Sequence, residues 1–272
     1  MSPQRGRRRG CRPSTTTRFW EIDCARTVAI LMMVTYHVVY DVDFLAPGLG
    51  PDPLRGAWGV VPEATASLFL LIAGVGFSIS DARGRAGGLP GARRLAGHAR
   101  RALLVLGAGM VVTVATLAVI PGRFVRFGIL HSIGTALLIA PAFARLGRWC
   151  APVGVAVIVA GIALSPLRSD VPGLLVFGVQ PAEFRTVDYW PVLPWFGVFA
   201  LGMALGRALY PGGSRGAFVD GMARRVPSPG MTHRLGAPGR RSLLIYLVHQ
   251  PVLIAIIAAV LTITGQSVEW GW

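Results

Sequence analysis

A recurring pattern of long apolar segments, separated by shorter polar ones, runs along almost the whole chain. Seven apolar segments approach the roughly 20 residues that a helix needs to cross a bilayer. They are Thr27–Leu45, Trp58–Ser80, Ala102–Ile120, Phe127–Ala144, Cys150–Leu167, Trp190–Tyr210 and Ser242–Thr264. This pattern predicts an all-α fold, a polytopic transmembrane helix bundle with about seven spans.

The segments between the predicted spans differ sharply in charge, and this difference predicts the topology. All 27 basic residues are arginine. With the N-terminus in the cytoplasm, 22 of them fall in segments 1–26, 81–101, 145–149 and 207–241, whereas 5 fall on the other side. Such an excess of arginine is typical of cytoplasmic loops. The odd number of spans then predicts an extracytoplasmic C-terminus.

Composition supports a membrane protein and excludes an ordinary soluble domain. Hydrophobic residues make up 53% of the chain, charged residues 14%, and the mean hydropathy is +0.57, whereas soluble domains carry about 25% charged residues. The net charge of +15 does not predict nucleic-acid binding, because the arginines lie between the spans as topology signals. We expect the lipid bilayer as a partner and the cell (plasma) membrane as the location.

The remaining features define the domain organisation. Residues 1–18 form a basic tail without apolar periodicity, which we expect to be disordered in the cytosol. Residues 19–267 then form one membrane-embedded domain, for which a homodimer is compatible with the sequence. The cysteines have no metal-type spacing, and we expect neither a metal site nor a structural disulfide. Small residues at four-residue spacing favour close helix packing in lipid, and they include Gly74, Ser78, Gly202 and Gly206.

The first predicted span contains two polar residues four positions apart, His37 and Asp41, which share a helix face. Polar residues within spans are costly and are therefore candidates for function. The simplest chemical interpretation is a general base with its orienting partner, in which Asp41 fixes the imidazole and His37 takes a proton from a substrate. The alternative is a structural hydrogen-bonded pair between helices.

Arg26 lies eleven residues before His37, close to three helical turns, so both side chains face the same way. Along the helix axis they are roughly 16 Å apart. We therefore expect Arg26 at the cytoplasmic mouth and His37 near the middle of the membrane. An anionic head could bind Arg26 while a long arm reaches His37. Taken alone, Arg26 is better explained as a flanking topology charge.

Two further histidines lie within predicted spans, His131 in the fourth and His249 in the seventh. From the rise per residue, we expect His249, His37 and His131 at roughly 10, 16 and 22 Å from the inner surface. That order would line a path across the membrane, and the alternative is three unrelated packing sites. Gln250 and Pro251 follow His249, and the proline frees a backbone carbonyl and predicts a kink.

The predicted outer loop before the sixth span combines charge with aromatic rings over residues 185–190, which include Asp188. Aromatic stacking with hydrogen-bonding groups suits sugar recognition, and an interfacial aromatic belt accounts for the rings equally well. Arg123 and Arg126 are predicted on the same side and could hold an anionic acceptor. The phosphate-binding loop, HExxH and GxSxG motifs of soluble enzymes do not occur in the sequence.

Four sequence blocks carry a family resemblance. The first reads Arg18-Phe-Trp-Glu-Ile-Asp-Cys-Ala-Arg26 and continues to His37-Val-Val-Tyr-Asp41. The others are Phe127-Gly-Ile-Leu-His131-Ser-Ile-Gly134, Asp188-Tyr-Trp-Pro-Val-Leu-Pro-Trp-Phe-Gly197 and Gly239-Arg-Arg-Ser-Leu-Leu-Ile-Tyr-Leu-Val-His249-Gln-Pro251. Together they resemble bacterial proteins of the heparan-alpha-glucosaminide N-acetyltransferase catalytic-domain family. The spacing of Arg26 and His37 is also similar to the motif of the wider transmembrane acyltransferase group.

The resemblance implies transfer of an acetyl or acyl group from cytosolic acyl-CoA to an acceptor on the far side of the membrane. Arg26 would bind the CoA end, His37 would act as the base or the acyl carrier, and acetyl-CoA or another acyl-CoA would be the cosubstrate. The acceptor would be an amino sugar, another envelope glycan or a lipid. His131, His249, Gln250, Asp188 and Arg126 are supporting candidates in this interpretation.

The chain departs from the family pattern at one place. In the lysosomal heparan enzyme, the catalytic histidine is described in the loop before the second span, and the corresponding stretch here, 52–58, contains no histidine. The site cannot therefore be copied from that enzyme, and a covalent acyl-histidine and direct transfer both remain open. Two other function classes also fit the polar residues: a proton-coupled carrier or flippase, and a non-catalytic membrane scaffold.

Overall fold

The computed structural model describes residues 18–226 and 228–268, and within them the chain is helical and contains no β-strand. Most of the tail predicted for residues 1–18 therefore lies outside the described residues. The long apolar helices are α1 Trp20–Leu45, α2 Val61–Ala86, α3 Gly91–Val119, α4 Ile129–Phe143, α5 Cys150–Leu164, α6 Val192–Leu209 and α10 Ser242–Ile263. Three short helices precede α10: α7 Ala217–Arg224, α8 Pro229–Leu235 and α9 Ala237–Arg240. The predicted all-α polytopic bundle is confirmed.

Six helical stretches of the described chain are long and apolar enough to cross a membrane. The longest of them, Ile129–Leu164, contains both α4 and α5, with the tighter helical turns of Ala144–Trp149 between them. Gly147 in these turns has a φ of 57°, a left-handed conformation that glycine adopts without steric cost. The helical direction changes there, so the fourth and fifth predicted spans are separate helices of 15 residues each.

The contacts with α6 show that the chain reverses between α4 and α5. Arg207, near the end of α6, donates to the carbonyl of Ala144 at 2.6 Å and lies 3.1 Å from the sulfur of Cys150 at the start of α5. From there α5 runs back along α6, because Gly161 packs against Pro194 near the beginning of α6. The bundle is thus a multi-pass membrane domain of six to seven crossings.

Helices α2 and α6 approach each other backbone to backbone. A methyl group at Gly74 would lie 2.8 Å from the backbone nitrogen of Met203, so only glycine fits there. Gly202 and Gly206 face the backbone of α2 in the same way. The hydroxyl of Ser78 donates to the Met203 carbonyl at 2.8 Å. The small residues therefore do what their spacing predicts, which is to bring two helices into direct contact.

The main core fills the space between α2, α4 and α6. Its largest side chains are at most 1% exposed, and they include Leu70, Phe77, Leu137, Phe199 and Met203. Much of the apolar surface of α3 and α10 is exposed instead, as expected for helices that face lipid. The protein core thus lies to one side of α1 and α10.

The short helices α8 and α9 hold the beginning of α1. The hydroxyl of Thr27 donates to the carbonyl of Leu235 at 2.8 Å and accepts from the backbone N–H of Gly239 at 3.0 Å. Gly239 also packs directly on the backbone of Asp23, where a side chain would not fit. The first and fourth sequence blocks, more than 200 residues apart, therefore meet in space.

The arginines of the described chain are concentrated at one end of the bundle, which we call the basic face. The start of α1, the end of α2, the start of α3 and the segment after α6 meet there, as the bond from Arg83 to Gly213 and the approach of Arg94 to Asp81 illustrate. The end of α3 and the beginnings of α4 and α6 lie at the opposite face. This separation agrees with the topology expected from the positive-inside pattern.

Candidate active site

Two histidines from distant parts of the sequence face each other where α1 meets α10. The ring centroids of His37 and His249 are 4.8 Å apart in an edge-to-face arrangement. The Nδ1 atom of His37 lies 2.8 Å from the carbonyl oxygen of Met33, and that of His249 lies 2.6 Å from the carbonyl oxygen of Tyr246. Because a carbonyl only accepts hydrogen bonds, we assign the proton to Nδ1 in both rings. Each Nε2 then carries a basic lone pair.

The hydrogen bond expected between Asp41 and His37 is not formed. Oδ1 of Asp41 accepts from Nε2 of Gln250 at 2.7 Å, and the residue is only 1% exposed. The carbonyl of Met33 orients His37 instead, one helical turn earlier on the same helix. Asp41 therefore joins α1 to α10 beside the histidine pair, and its expected role as the orienting partner of His37 is wrong. Its participation in catalysis stays a prediction.

Three buried acceptor atoms beside this pair have no hydrogen-bond partner within the described part of the chain. They are Nε2 of His249, Oδ2 of Asp41 and Oε1 of Gln250. Buried polar atoms in proteins are nearly always paired, so unpaired ones require an explanation. All three can accept a hydrogen bond from an N–H or O–H group. The arrangement is therefore suited to a ligand that carries an amine or a hydroxyl.

Tyr246 is a polar residue of α10 that the sequence analysis did not single out. Its ring centroid lies 5.5 Å from that of His249, and its hydroxyl is a hydrogen-bond partner of the Asp188 carboxylate. The spacing contained a signal, because residues three apart share a helix face. A tyrosine within a span also fits an interfacial belt, however, and only the contact with Asp188 distinguishes the two interpretations.

Asp188 connects the loop before α6 to the first turn of α4. Its Oδ2 accepts from the backbone N–H of Ile129 at 3.1 Å, which satisfies a free donor at the helix N-terminus. Its Oδ1 accepts from the indole N–H of Trp190. Burial raises the pKa of the Asp188 carboxyl to about 6, against the lowering effect of its hydrogen bonds with Ile129, Trp190 and Tyr246. The second and third sequence blocks thus meet at Asp188.

His131 does not join the other two histidines. Its Nδ1 accepts from the backbone N–H of Gly128 at 3.3 Å, so it caps the beginning of its own helix. Its ring also lies against α3, where a methyl group at Gly109 would be 3.0 Å from it. His37 and His249 are in direct contact, whereas His131 lies apart from them and has a buried Nε2 without a partner in the described part of the chain. A path across the membrane lined by all three histidines stays a prediction.

Arg126 lies at the opposite face, as expected, and its guanidinium covers aromatic rings. It is 4.9 Å from the ring centroid of Phe124 and 5.6 Å from that of Phe184. Such cation–π contacts stabilise the loop in which they occur. The neighbouring Arg123, rather than Arg126, lines a cavity at this face.

A cavity of about 470 Å³ opens at the basic face, and four arginines line it. They are Arg18, Arg26, Arg83 and Arg101. Arg26, which the sequence analysis proposed as an anion-binding residue, forms an ion pair with the buried Asp23 at 3.1 Å. The sequence analysis missed the other three as site residues, because each is typical of a topology charge. A group of guanidinium ions suits a ligand with several phosphates.

A second cavity of about 250 Å³ lies next to the first, since Arg26 and Arg101 line both. Its walls are mostly apolar, and they reach Ile129 and Tyr246. Tyr246 in turn lies beside His249. The two adjoining cavities therefore extend from the arginines of the basic face to Tyr246, the neighbour of His249. A charged mouth followed by an apolar channel suits a ligand with an anionic head and a long arm.

In the described part of the chain, no group of three or more His, Cys, Asp or Glu side chains is placed to hold a metal ion. Cys24 and Cys150 are free thiols. The chemistry that the geometry supports is therefore argued from the imidazoles and their neighbours.

Comparison with known proteins identifies the family. Residues 18–251 match the model of the family described as heparan-alpha-glucosaminide N-acetyltransferase, catalytic. No match is found among curated proteins or among solved structures. The matched region begins at the first arginine of the basic-face cavity and ends just after the Gln250 that binds Asp41, so it includes both cavities and the histidine pair. The chain belongs to the heparan-alpha-glucosaminide N-acetyltransferase catalytic family.

Proposed function

We propose that the protein is a membrane acyltransferase that takes an acetyl or acyl group from cytosolic acyl-CoA and transfers it to an acceptor on the other side of the membrane. The observation that carries the proposal is the pair of adjoining cavities, which share Arg26 and Arg101, the second of them being lined by Tyr246 beside His249. Family membership supports the same reaction class. In this proposal the basic face is cytosolic and the membrane is the plasma membrane.

The arginines of the basic-face cavity bind the phosphates of CoA, because guanidinium groups form paired, charge-assisted hydrogen bonds with phosphate oxygens. The apolar second cavity receives the pantetheine arm and keeps water away from the thioester. The thioester then lies near Tyr246 and His249. Arg26 and His37 lie on one continuous helix, about 16 Å apart along its axis. The phosphate end and the thioester end of the donor are therefore held by the same helix, α1.

In direct transfer, the Nε2 lone pair of His37 removes a proton from the amine or hydroxyl of the acceptor. The acceptor nitrogen or oxygen attacks the thioester carbonyl carbon, the new C–N or C–O bond forms, and the C–S bond breaks. The CoA thiolate leaves and takes the proton from the imidazolium. The same Nε2 can instead attack the carbonyl carbon, so that the C–S bond breaks, the CoA thiolate leaves and an acyl-histidine forms. The acceptor then attacks this acyl group, its proton passes to the thiolate and the imidazole of His37 is released.

The neighbouring residues act on the acceptor and on the position of the helices. The unpaired acceptor atoms of His249, Asp41 and Gln250 bind the N–H or O–H group that is to be acylated. The Asp41–Gln250 bond keeps α1 and α10 in register. Asp188 positions Tyr246 and the loop before α6 at the far side of the same centre. The acceptor in this proposal is an amino sugar or another envelope glycan.

The first test is donor binding to the purified protein in detergent, measured as the shift in melting temperature. Acetyl-CoA should stabilise the protein by mass action, whereas pantetheine, which lacks the phosphates, should do so weakly. Arg26→Gln should weaken the effect of acetyl-CoA, and Arg93→Gln, an exposed arginine of α3, should not. Absence of any shift with acetyl-CoA, together with movement of a solute across proteoliposomes, would favour a carrier instead.

A further inference from the structure

A third cavity, of about 420 Å³, lies at the face opposite the arginine-lined mouth. Its wall comes from α1, the turn before α4 and the long loop before α6, and it includes Tyr40, Arg123, Phe184, Arg185, Thr186 and Tyr189. We call it the outer cavity. None of these residues takes part in the donor path described above.

The outer cavity is connected to the histidine pair through α1. Tyr40 lies three residues after His37, one helical turn and about 4.5 Å further along the axis, so the two side chains share a face. The ring of Tyr40 lies between those of Tyr36 and Phe44, with centroid distances of 6.1 and 6.3 Å. A molecule bound over Tyr40 therefore has its inner end close to His37. This is the position that an acceptor must occupy if the donor arrives from the basic face.

Two arginines give the lining of the outer cavity a positive charge. Arg123 and Arg185 are both exposed, and in the described part of the chain neither has a carboxylate within ion-pair distance. Other arginines of the molecule do have such partners, for example Arg85 with Asp81 at 2.5 Å. Two guanidinium groups without acidic partners at one cavity favour an anionic ligand.

The rest of the outer cavity is lined largely by aromatic rings. Ring contacts and hydrogen bonds to the backbone hold these side chains in place. Phe184 and Tyr189 form an edge-to-face pair with centroids 4.9 Å apart, and the Tyr189 hydroxyl donates to the carbonyl of Leu175 at 2.5 Å. The hydroxyl of Thr186 donates to the carbonyl of Phe124 at 2.9 Å. Rings held in place in this way offer a surface for the apolar face of a sugar. Selectivity for an anionic group must then come from the two arginines.

We propose that the outer cavity is the acceptor site and that it selects a sugar carrying a phosphate, with Arg123 and Arg185 binding the phosphate and the rings of Tyr40 and Tyr189 contacting the sugar. The inference rests on the proposed acyl transfer, because it places the acylated group of that sugar beside His37. The phosphate can belong to a free sugar phosphate or to a lipid-linked sugar. Both share the chemistry that the arginines recognise.

The test is acceptor binding without any donor, measured by calorimetry on the detergent-solubilised full chain. The probes are glucosamine, glucosamine 1-phosphate and glucosamine attached to a polyprenyl phosphate. We expect at least one phosphorylated probe to bind about tenfold or more tightly than glucosamine, and a double variant, Arg123→Gln with Arg185→Gln, to remove this preference. Arg55→Gln is the matched control, because its side chain is 87% exposed at the same face and outside the cavity.

Binding of the free sugar phosphate identifies a soluble source, and binding of only the polyprenyl probe identifies a lipid source; both outcomes support the site. Equal binding of glucosamine and both phosphorylated probes would overturn it, as would a preference that survives the double variant. The proposed transfer is tested separately by release of CoA thiol from acetyl-CoA in the presence of each sugar. If binding depends on the phosphate but no CoA thiol is released, the proposed acyl transfer is contradicted, whereas the anion site of the outer cavity is still supported.

Discussion

Two interfaces of this bundle are built from opposite kinds of side chain: α6 meets α2 and α5 through glycine, whereas α1 meets α10 through imidazole, carboxylate and amide groups. At the first interface, which we call the packing seam, helix backbones touch directly, as at Gly74 and Gly202. At the second, the polar seam, His37 lies beside His249 and Asp41 accepts from Gln250.

The difference separates the two tasks of the domain. Lipid offers no hydrophobic driving force between helices, so the packing seam obtains its stability from close backbone contact, to which the Ser78–Met203 hydrogen bond adds. The polar seam keeps three buried acceptor atoms without a partner in the described chain, which costs stability and leaves hydrogen-bonding capacity for a ligand. We therefore expect volume changes to damage the packing seam and chemical changes to damage the polar seam.

The largest expected effect is on chemistry at the polar seam. His37→Ala should lower the rate of acyl transfer by about 10²–10⁴-fold, the usual contribution of a positioned general base. The melting temperature should change little, because the bond of His37 to Met33 lies within one helix. Release of CoA thiol measures the rate, and His233→Ala, at an exposed histidine outside both seams, is the control. Unchanged transfer by His37→Ala would remove it from the site.

The reverse pattern is expected at the packing seam. Gly202→Ala adds a methyl group 2.9 Å from backbone atoms of Leu71, and overpacking of this kind costs about 1–3 kcal/mol. Nothing lies within 4 Å of the corresponding position at Gly107, so Gly107→Ala should leave the melting temperature unchanged or slightly higher. Thermal unfolding of both variants in one detergent measures the difference. Equal stability of the two variants would mean that the packing seam accommodates the added methyl group. The expected sensitivity of this seam to volume would then be contradicted.

The next prediction concerns donor binding. Arg101 lines both cavities that are proposed to hold the donor, so its substitution tests that proposal. Arg101→Gln should raise the KM for acetyl-CoA by about 10–100-fold, as expected from the loss of one charge-assisted hydrogen bond. The neighbouring Arg100 is exposed and lines neither cavity, so Arg100→Gln should keep the wild-type KM. Steady-state kinetics with varied acetyl-CoA distinguishes the two. Equal KM values for Arg101→Gln and Arg100→Gln would show that Arg101 does not bind the donor.

The stability of the protein is expected to depend on pH through Asp188, in the loop before α6. The pKa of Asp188 is about 6 in the folded protein against an ordinary 3.8, so the folded state holds this proton more tightly than the unfolded one. Its contribution to stability is therefore present below about pH 4 and is lost as the pH rises through about 6. Asp188→Asn should flatten the change in melting temperature over this range.

The matched control for that experiment is Asp52→Asn, because Asp52 is a partly exposed acid at the same face. The two variants are measured side by side, and the flattening is assigned to Asp188 only if it is absent from Asp52→Asn. An unchanged profile in Asp188→Asn would show that the carboxyl titrates normally.

The smallest effect is expected at an ion pair that belongs to neither seam. Arg215 binds both carboxylate oxygens of Glu21 at 2.8 Å, and these side chains are 23% and 17% exposed. Glu21→Gln should lower the free energy of unfolding by about 1 kcal/mol or less. The exposed pair of Asp220 and Arg224 provides the control, since Asp220→Asn should have no measurable effect on thermal unfolding.

Much of the fold could be predicted because lipid imposes a strong rule on the sequence: each crossing must be a long apolar helix. The boundaries were less predictable. The third span was expected to begin at Ala102, and α3 begins at Gly91, because a helix can continue into water once its apolar part ends. The segment 207–241 was expected to be a loop, and it contains three short helices, of which α9 packs on α1.

The candidate site could be predicted only in part. His37, His249, Asp41 and Gln250 were recognisable because a polar residue within an apolar helix is costly and needs a reason. Their pairing was not recognisable, since helical spacing relates residues of one helix and says nothing about the partner helix. The same limit explains why Tyr246 was missed and why the bond of His131 to the backbone N–H of Gly128 was not predicted.

By itself, the sequence determined the all-α membrane architecture, the family and the set of ionisable residues within the spans, because these follow from local hydropathy, composition and motif order. The tertiary structure decided that Asp41 binds Gln250, that Asp188 reaches Tyr246 and that arginines from α1, α2 and α3 line one cavity. These contacts join residues up to more than 200 positions apart. They depend on how the helices pack, and that packing is set by the volumes of side chains on several helices at once.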